Sequence, residues 1–131
     1  MPPTWPLKDT TKTPLLNTDM ILKKGEKVHL IHRRRFERDI RRHFAGVVEQ
    51  YEHGMARLSG YVFVTDDLNK HVFVRREDRR TKIAAIGSGE LIVNLLPPDV
   101  KIEKIRYELD RRRLVVTDGL WQMDIKEFGW G

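Results

Sequence analysis

Phe44-Ala45-Gly46-Val47-Val48-Glu49-Gln50-Tyr51, then Glu52-His53-Gly54, then Met55-Ala56-Arg57-Leu58-Ser59-Gly60-Tyr61-Val62-Phe63-Val64-Thr65: this is the stretch that decides the fold. Both long runs are rich in valine and aromatic residues, whose side chains fit a pleated, partly buried surface. The three residues between them are few and contain a glycine, as a hairpin turn requires. The sequence therefore predicts two antiparallel strands here.

Outward from this hairpin the signal stays β. Val28, Leu30 and His32 alternate with His29, Ile31 and Arg33, which predicts a strand buried mostly on one side. Asp66-Asp67-Leu68-Asn69-Lys70 reads as a turn leading into His71-Val72-Phe73-Val74. Thr81 to Ile86 and Glu90 to Leu96 flank Gly87-Ser88-Gly89, and Pro97-Pro98 ends the second run. Ile105, Tyr107 and Leu109 alternate into Asp110-Arg111-Arg112-Arg113, and Leu114 to Thr117, Asp118-Gly119 and Trp121, Met123 and Ile125 complete a meander. Short strands joined by tight turns predict a small, strongly bent sheet or barrel. Phe36, Ile40 and Phe44 have helical spacing, but the β surroundings favour a charged connection between two strands.

The first seventeen residues carry four of the six prolines and read as an extended arm. Thr18 to Leu22 offers one capped helical turn after it. The expected organisation is an arm or short helix over 1–24, a β-barrel domain over 25–100 and a β extension over 101–131.

Composition bounds the chemistry. The 131 residues include no cysteine, which excludes disulfides, thiolate metal sites and thiol nucleophiles. No apolar run approaches the ~20 residues of a spanning helix, and the N-terminus has neither a basic leader nor an apolar stretch. The expectation is a soluble, cytoplasmic protein with no membrane partner. The net charge is +6 and the pI about 9.8, which suits a polyanionic partner.

The charge is clustered. Arg33, Arg34, Arg35, Arg38, Arg41 and Arg42 lie together, relieved only by Glu37 and Asp39. Such a segment can clamp phosphates, or it can be a solvated loop whose arginines pair with acids of a neighbouring subunit. Arg75-Arg76-Glu77-Asp78-Arg79-Arg80 is internally compensated and is expected to form a surface salt-bridge network. The histidines keep no ligand spacing with carboxylates, so neither a metal nor another cofactor is expected. No serine or threonine has an evident base and orienting acid, so no catalytic residues are assigned. His53, in the hairpin turn, is either an exposed turn residue or a ring that can stack on a ligand.

Two segments resemble a known family. Gly46, Val48, Tyr51, Glu52 and Met55 keep the offsets of the first signature of the Sm-like RNA-binding proteins. Ile83-Ala84-Ala85-Ile86, Gly87-Ser88-Gly89 and Leu91 to Pro97 are similar to the second, an apolar strand, a glycine turn and a strand running to Leu-Pro. The resemblance covers about residues 25–100. It implies a five-stranded, strongly bent antiparallel barrel, with Val48 and Met55 pointing inward and Tyr51 topping the core. It also implies homo-oligomeric rings made by pairing edge strands, and RNA as ligand. The family's uridine pocket is not matched: Gly54 and Ala56 stand where a ring and an asparagine are usual, and Gly87 or Ser88 stands where an arginine is. The reading is thus a non-enzymatic ring module that contacts RNA through Arg33, Arg34, Arg35, Arg38, Arg41, Arg42 and His53. The alternative is a structural ring subunit, of phage type or otherwise, without specific RNA binding.

Overall fold

A computed structural model describes residues 21–34, 36, 40–65 and 73–125. The fold is mainly β, built from nine strands among these residues. They are β1 (Lys27–His32), β2 (Arg42–Glu52), β3 (Met55–Thr65), β4 (Phe73–Arg75), β5 (Arg80–Ala85), β6 (Leu91–Leu96), β7 (Arg106–Asp110), β8 (Arg113–Thr117) and β9 (Gln122–Asp124). All pairings are antiparallel.

The larger sheet has the order β4-β3-β2-β1-β6, and β5 pairs with the first half of β3 while β4 pairs with its end. A smaller sheet has the order β9-β8-β7. The barrel expected from the short strands is corrected: the larger sheet has six strands and does not close. Among the described residues, β6 pairs only with β1 and β5 only with β3. The gap is spanned by side chains and by the 86–90 connection instead of a ladder. Ile86 N–H donates to the Gly54 carbonyl, and Arg33 N–H to that of Glu90.

The β2–β3 hairpin turns where its sequence demands. His53 and Gly54 both have positive φ, 51° and 78°, as the two central residues of a tight hairpin turn require. Farther along, Gly46 and Gly60 face each other across β2 and β3. A Cβ on Gly46 would stand 2.5 Å from the Ser59 carbonyl oxygen, so the strands approach too closely for any side chain. The β2 register slips at Glu49, between Val48 and Gln50, which marks a bulge.

The large sheet is covered on both faces. Val28, Leu30, Phe44, Val48, Ala56, Leu58 and Ala84 form one core together with Leu22. Ala45 and Phe63 face the other way and pack against Val100, Ile102, Ile105, Val116 and Ile125. One-sided burial of β1 is therefore corrected: His29 is 0% exposed, because the C-terminal sheet covers the face that alternation assigned to solvent. Met55 is also corrected, being 43% exposed at the hairpin end, whereas Val48 is buried and Tyr51 packs on the first core.

Several sequence expectations fall outside the described residues: residues 1–20 of the expected 1–24 arm, Arg35, Arg38, the 66–70 turn and His71. Ile21 and Leu22 form a bend, with Leu22 buried in the core. Arg33, Arg34, Phe36, Ile40 and Arg41 lie in neither helix nor strand.

The β7–β8 turn carries an unfavourable residue choice. Arg111 and Arg112 have φ of 54° and 70°, a region in which an L side chain costs roughly 1–2 kcal/mol per residue. Arg111→Asn combined with Arg112→Gly is expected to stabilise the protein by about 1–2 kcal/mol and raise Tm by several degrees. Thermal unfolding followed by circular dichroism checks this; an unchanged or lower Tm refutes it.

Candidate nucleic-acid interface

The β1–β2 connection ends beside the 86–90 connection because His32 pairs with Leu91 in the β1–β6 ladder. Arg33 is fixed there twice, by its backbone bond to Glu90 and by its guanidinium Nη1, which donates to the Gly89 carbonyl at 3.3 Å. The other end of the same connection carries Ile86, bonded to Gly54 next to the exposed His53. Arg33 and the His53 turn thus flank one five-residue segment.

Lys82 completes the cluster from β5. On that strand Lys82 and Ala84 share the inward parity, so the lysine stem runs over the core and its ammonium lies 5.1 Å from the centre of the Phe44 ring. Its Nζ donates to His32 Nε2 at 3.2 Å, which fixes the imidazole as neutral, with its proton on Nδ1. Burial, then the charges of Arg42 and Arg80, lower the Lys82 pKa. The His32 pKa falls to about 4 through burial, Lys82 and Arg42, with Glu90 opposing. Burial and then Arg34 lower that of Arg41. Cations from two strands and one connection therefore converge on this end of the sheet, close enough to disfavour the charges of Lys82 and Arg41. Such a site gains from any polyanion that enters it.

Of the residues singled out in the sequence, Arg33, Arg34, Arg41 and Arg42 meet here, and His53 stands at the far end of the 86–90 connection. The sequence reading assigned Arg80 to a surface salt-bridge network and placed neither His32 nor Lys82 in the site. Lys82 carried a signal, a lysine at an apolar-parity position of a strand, and its partners come from distant segments.

The Arg75–Arg80 expectation is corrected. Among the described residues no ion pair forms within it. Arg75 and Arg79 turn instead to Tyr61, with guanidinium carbons 4.7 and 5.5 Å from its ring centre, and Arg79 Nε donates to Ser59 Oγ. Glu77 and Asp78 are exposed in that turn.

A buried polar chain lies between the two sheets. Tyr107 Oη is 2.8 Å from His29 Nε2 and 2.7 Å from His43 Nδ1. One hydroxyl can donate to one ring and accept from the other. His29 Nδ1 is buried without a partner, which costs less for a lone pair than for an N–H. The assignment that follows is His29 Nε2–H donating to Tyr107, and Tyr107 O–H donating to His43 Nδ1. Burial lowers the His29 pKa to about 4; burial, His29 and Arg41 lower that of His43 to about 2. Both rings are held neutral.

No group of three or more His, Asp or Glu side chains that could hold a metal ion occurs among the described residues. No helix among them is long and apolar enough to cross a membrane. Comparison with protein-family models, with curated proteins and with solved structures returned no match.

Proposed function

We propose that this chain is a non-enzymatic, Sm-like module that assembles into a homo-oligomeric ring and contacts RNA through its arginine-rich end, without a uridine pocket. The observation that carries the RNA reading is the convergence of Arg33, Arg34, Arg41 and Arg42 with Lys82 and Arg80, where Arg34 helps to lower the pKa of Arg41, and Arg42 and Arg80 that of Lys82. Phosphates neutralise such a cluster and release counterions.

The scaffold reading is supported by where the two signatures fall. Gly46 to Met55 covers the β2–β3 turn, and Ile83 to Pro97 covers β5, a short 3-10 turn at Ile86–Ser88, and β6. Ring closure is supported by the edges of β5 and β6, which have no further strand partner among the described residues. They display Ile83 and Leu95, 59% and 55% exposed, beside unpaired backbone groups that a second copy can take up. The pocket is argued against by Ala56, which is fully buried, and Gly54, which has no side chain.

The test replaces Arg34, Arg42 and Arg80 together by glutamine. Affinity for unrelated single-stranded RNAs is expected to fall about equally, and the salt slope to flatten by about 2, at roughly 0.7 per lost phosphate contact. Oligo-U, oligo-A and oligo-C should bind within about tenfold of each other. Unchanged affinity and slope, with the ring intact by light scattering, would favour the structural-ring reading. A monomer at micromolar concentration would refute assembly.

A further inference from the structure

Where the C-terminal sheet parts from the larger one, a groove of about 390 Å³ opens between them. Its floor is aromatic: Phe73 and Tyr107 stack with ring centres 4.3 Å apart, and Phe63 meets Tyr107 edge-on at 5.2 Å. Its rim carries three cations, Arg75, Lys104 and Arg106. The volume is at the low end for small-molecule sites, which favour the seams between layers.

The groove is already ordered. Tyr107 is pinned by its hydroxyl between His29 and His43, so its ring presents one orientation to the floor. Arg75 lies over Tyr61 and donates Nη1 to the Glu103 carbonyl, and among the described residues its other N–H groups have no hydrogen-bond acceptor. Arg106 Nε donates to Glu108, with its side chain half exposed. Groups held in place before binding lose little entropy on binding. Planar guanidinium forks and an ammonium around one opening match the several oxygens of a phosphate better than a single carboxylate. A flat aromatic floor of this size suits a ring system and not an acyl chain.

We infer that this groove binds a nucleoside phosphate, with the phosphate held by Arg75, Lys104 and Arg106 and the base stacked on the part-exposed Phe73 ring, which Tyr107 backs. The site uses none of the residues of the arginine-rich end, so it stands or falls separately from the RNA reading.

Calorimetric titration with uridine and adenosine 5′-monophosphates tests it on the full chain. Saturable binding is expected, at least about tenfold tighter than for ribose 5-phosphate, or about 1.4 kcal/mol. Arg106→Gln and Lys104→Gln, both at exposed positions, should each weaken it by about tenfold, while the Arg34, Arg42 and Arg80 variant binds as the parent does. Nucleotides bound no better than ribose 5-phosphate, no saturation, or groove variants that bind as the parent does would each overturn the assignment. A 5′-phosphorylated oligonucleotide that competes and shows the same variant sensitivity would make the ligand a unit of a strand. Failure to compete would make it the free nucleotide, and either result upholds the site.

Discussion

Gly60→Ala is expected to destabilise the protein by more than about 4 kcal/mol, at the upper end of single-substitution effects. The reason is backbone against backbone. A Cβ on Gly60 would land on the Ala45 carbonyl oxygen and within 2.5 Å of the Gly46 Cα. Neither can yield, because β2 is paired on both sides here: Gly46 faces Val28 of β1 as well as Gly60 of β3. Moving β2 outward would break the β1 ladder and open the Val28–Phe44–Leu58 core. Against a typical net stability of 5–15 kcal/mol, a loss of this size removes between about a quarter and most of the folding free energy. Gly87→Ala is the matched control. Its Cβ meets nothing within 4 Å, and its φ is not positive, so it should stay within about 0.5 kcal/mol of the parent. Urea unfolding of both variants decides the matter, and a Gly60→Ala protein within about 1 kcal/mol of the parent would refute the argument.

Acidification from pH 7 to 4 is expected to remove about 3 kcal/mol of stability through His29 alone. Its pKa is lowered from an ordinary 6.5 to about 4 by burial, and each unit is worth about 1.4 kcal/mol. Below pH 6.5 the unfolded chain takes up a proton that folded His29 refuses, so stability rises with pH across this window. The contribution is complete above 6.5, falls as pH drops, and is exhausted near 4. His43 and the half-buried His32 shift in the same direction and steepen the loss. Asp118 adds nothing until lower pH: its carboxylate accepts from the backbone N–H groups of Lys101, Leu120 and Trp121, which hold its pKa near 2. Urea titrations at pH 7, 5.5 and 4 measure the slope. Tyr107→Phe should lower stability by about 1–3 kcal/mol at pH 7 and keep the slope, because burial and not the hydroxyl shifts the histidines. A flat profile between pH 7 and 5 would refute the neutral buried pair.

How much of this was legible in the sequence follows from the range of each interaction. Alternation marked 28–33 as a strand, because pleating imposes a period of two on any chain segment by itself, and valine and aromatic content marked 44–51 and 55–65. His53-Gly54 marked its turn because the required φ values are a property of those two residues. Gly46 was legible as a close approach, while its partner Gly60 was not, since the pairing register is set between strands. The arginine cluster was visible as composition, but Lys82 and Arg80 join it from forty residues away, through the β3–β5 ladder.

Tertiary structure alone decided three matters. It closed the outer face of β1 and β2 with a C-terminal sheet, which turned His29 and His43 from surface histidines into a neutral buried pair. It gave Arg75 and Arg79 an aromatic ring in place of the adjacent acids, because Tyr61 projects beside them from β3. It left the larger sheet open, with the outer edges of β5 and β6 unpaired among the described residues. A strand's residues state that they have two faces and two edges. What lies against each comes from another part of the chain, or from another molecule.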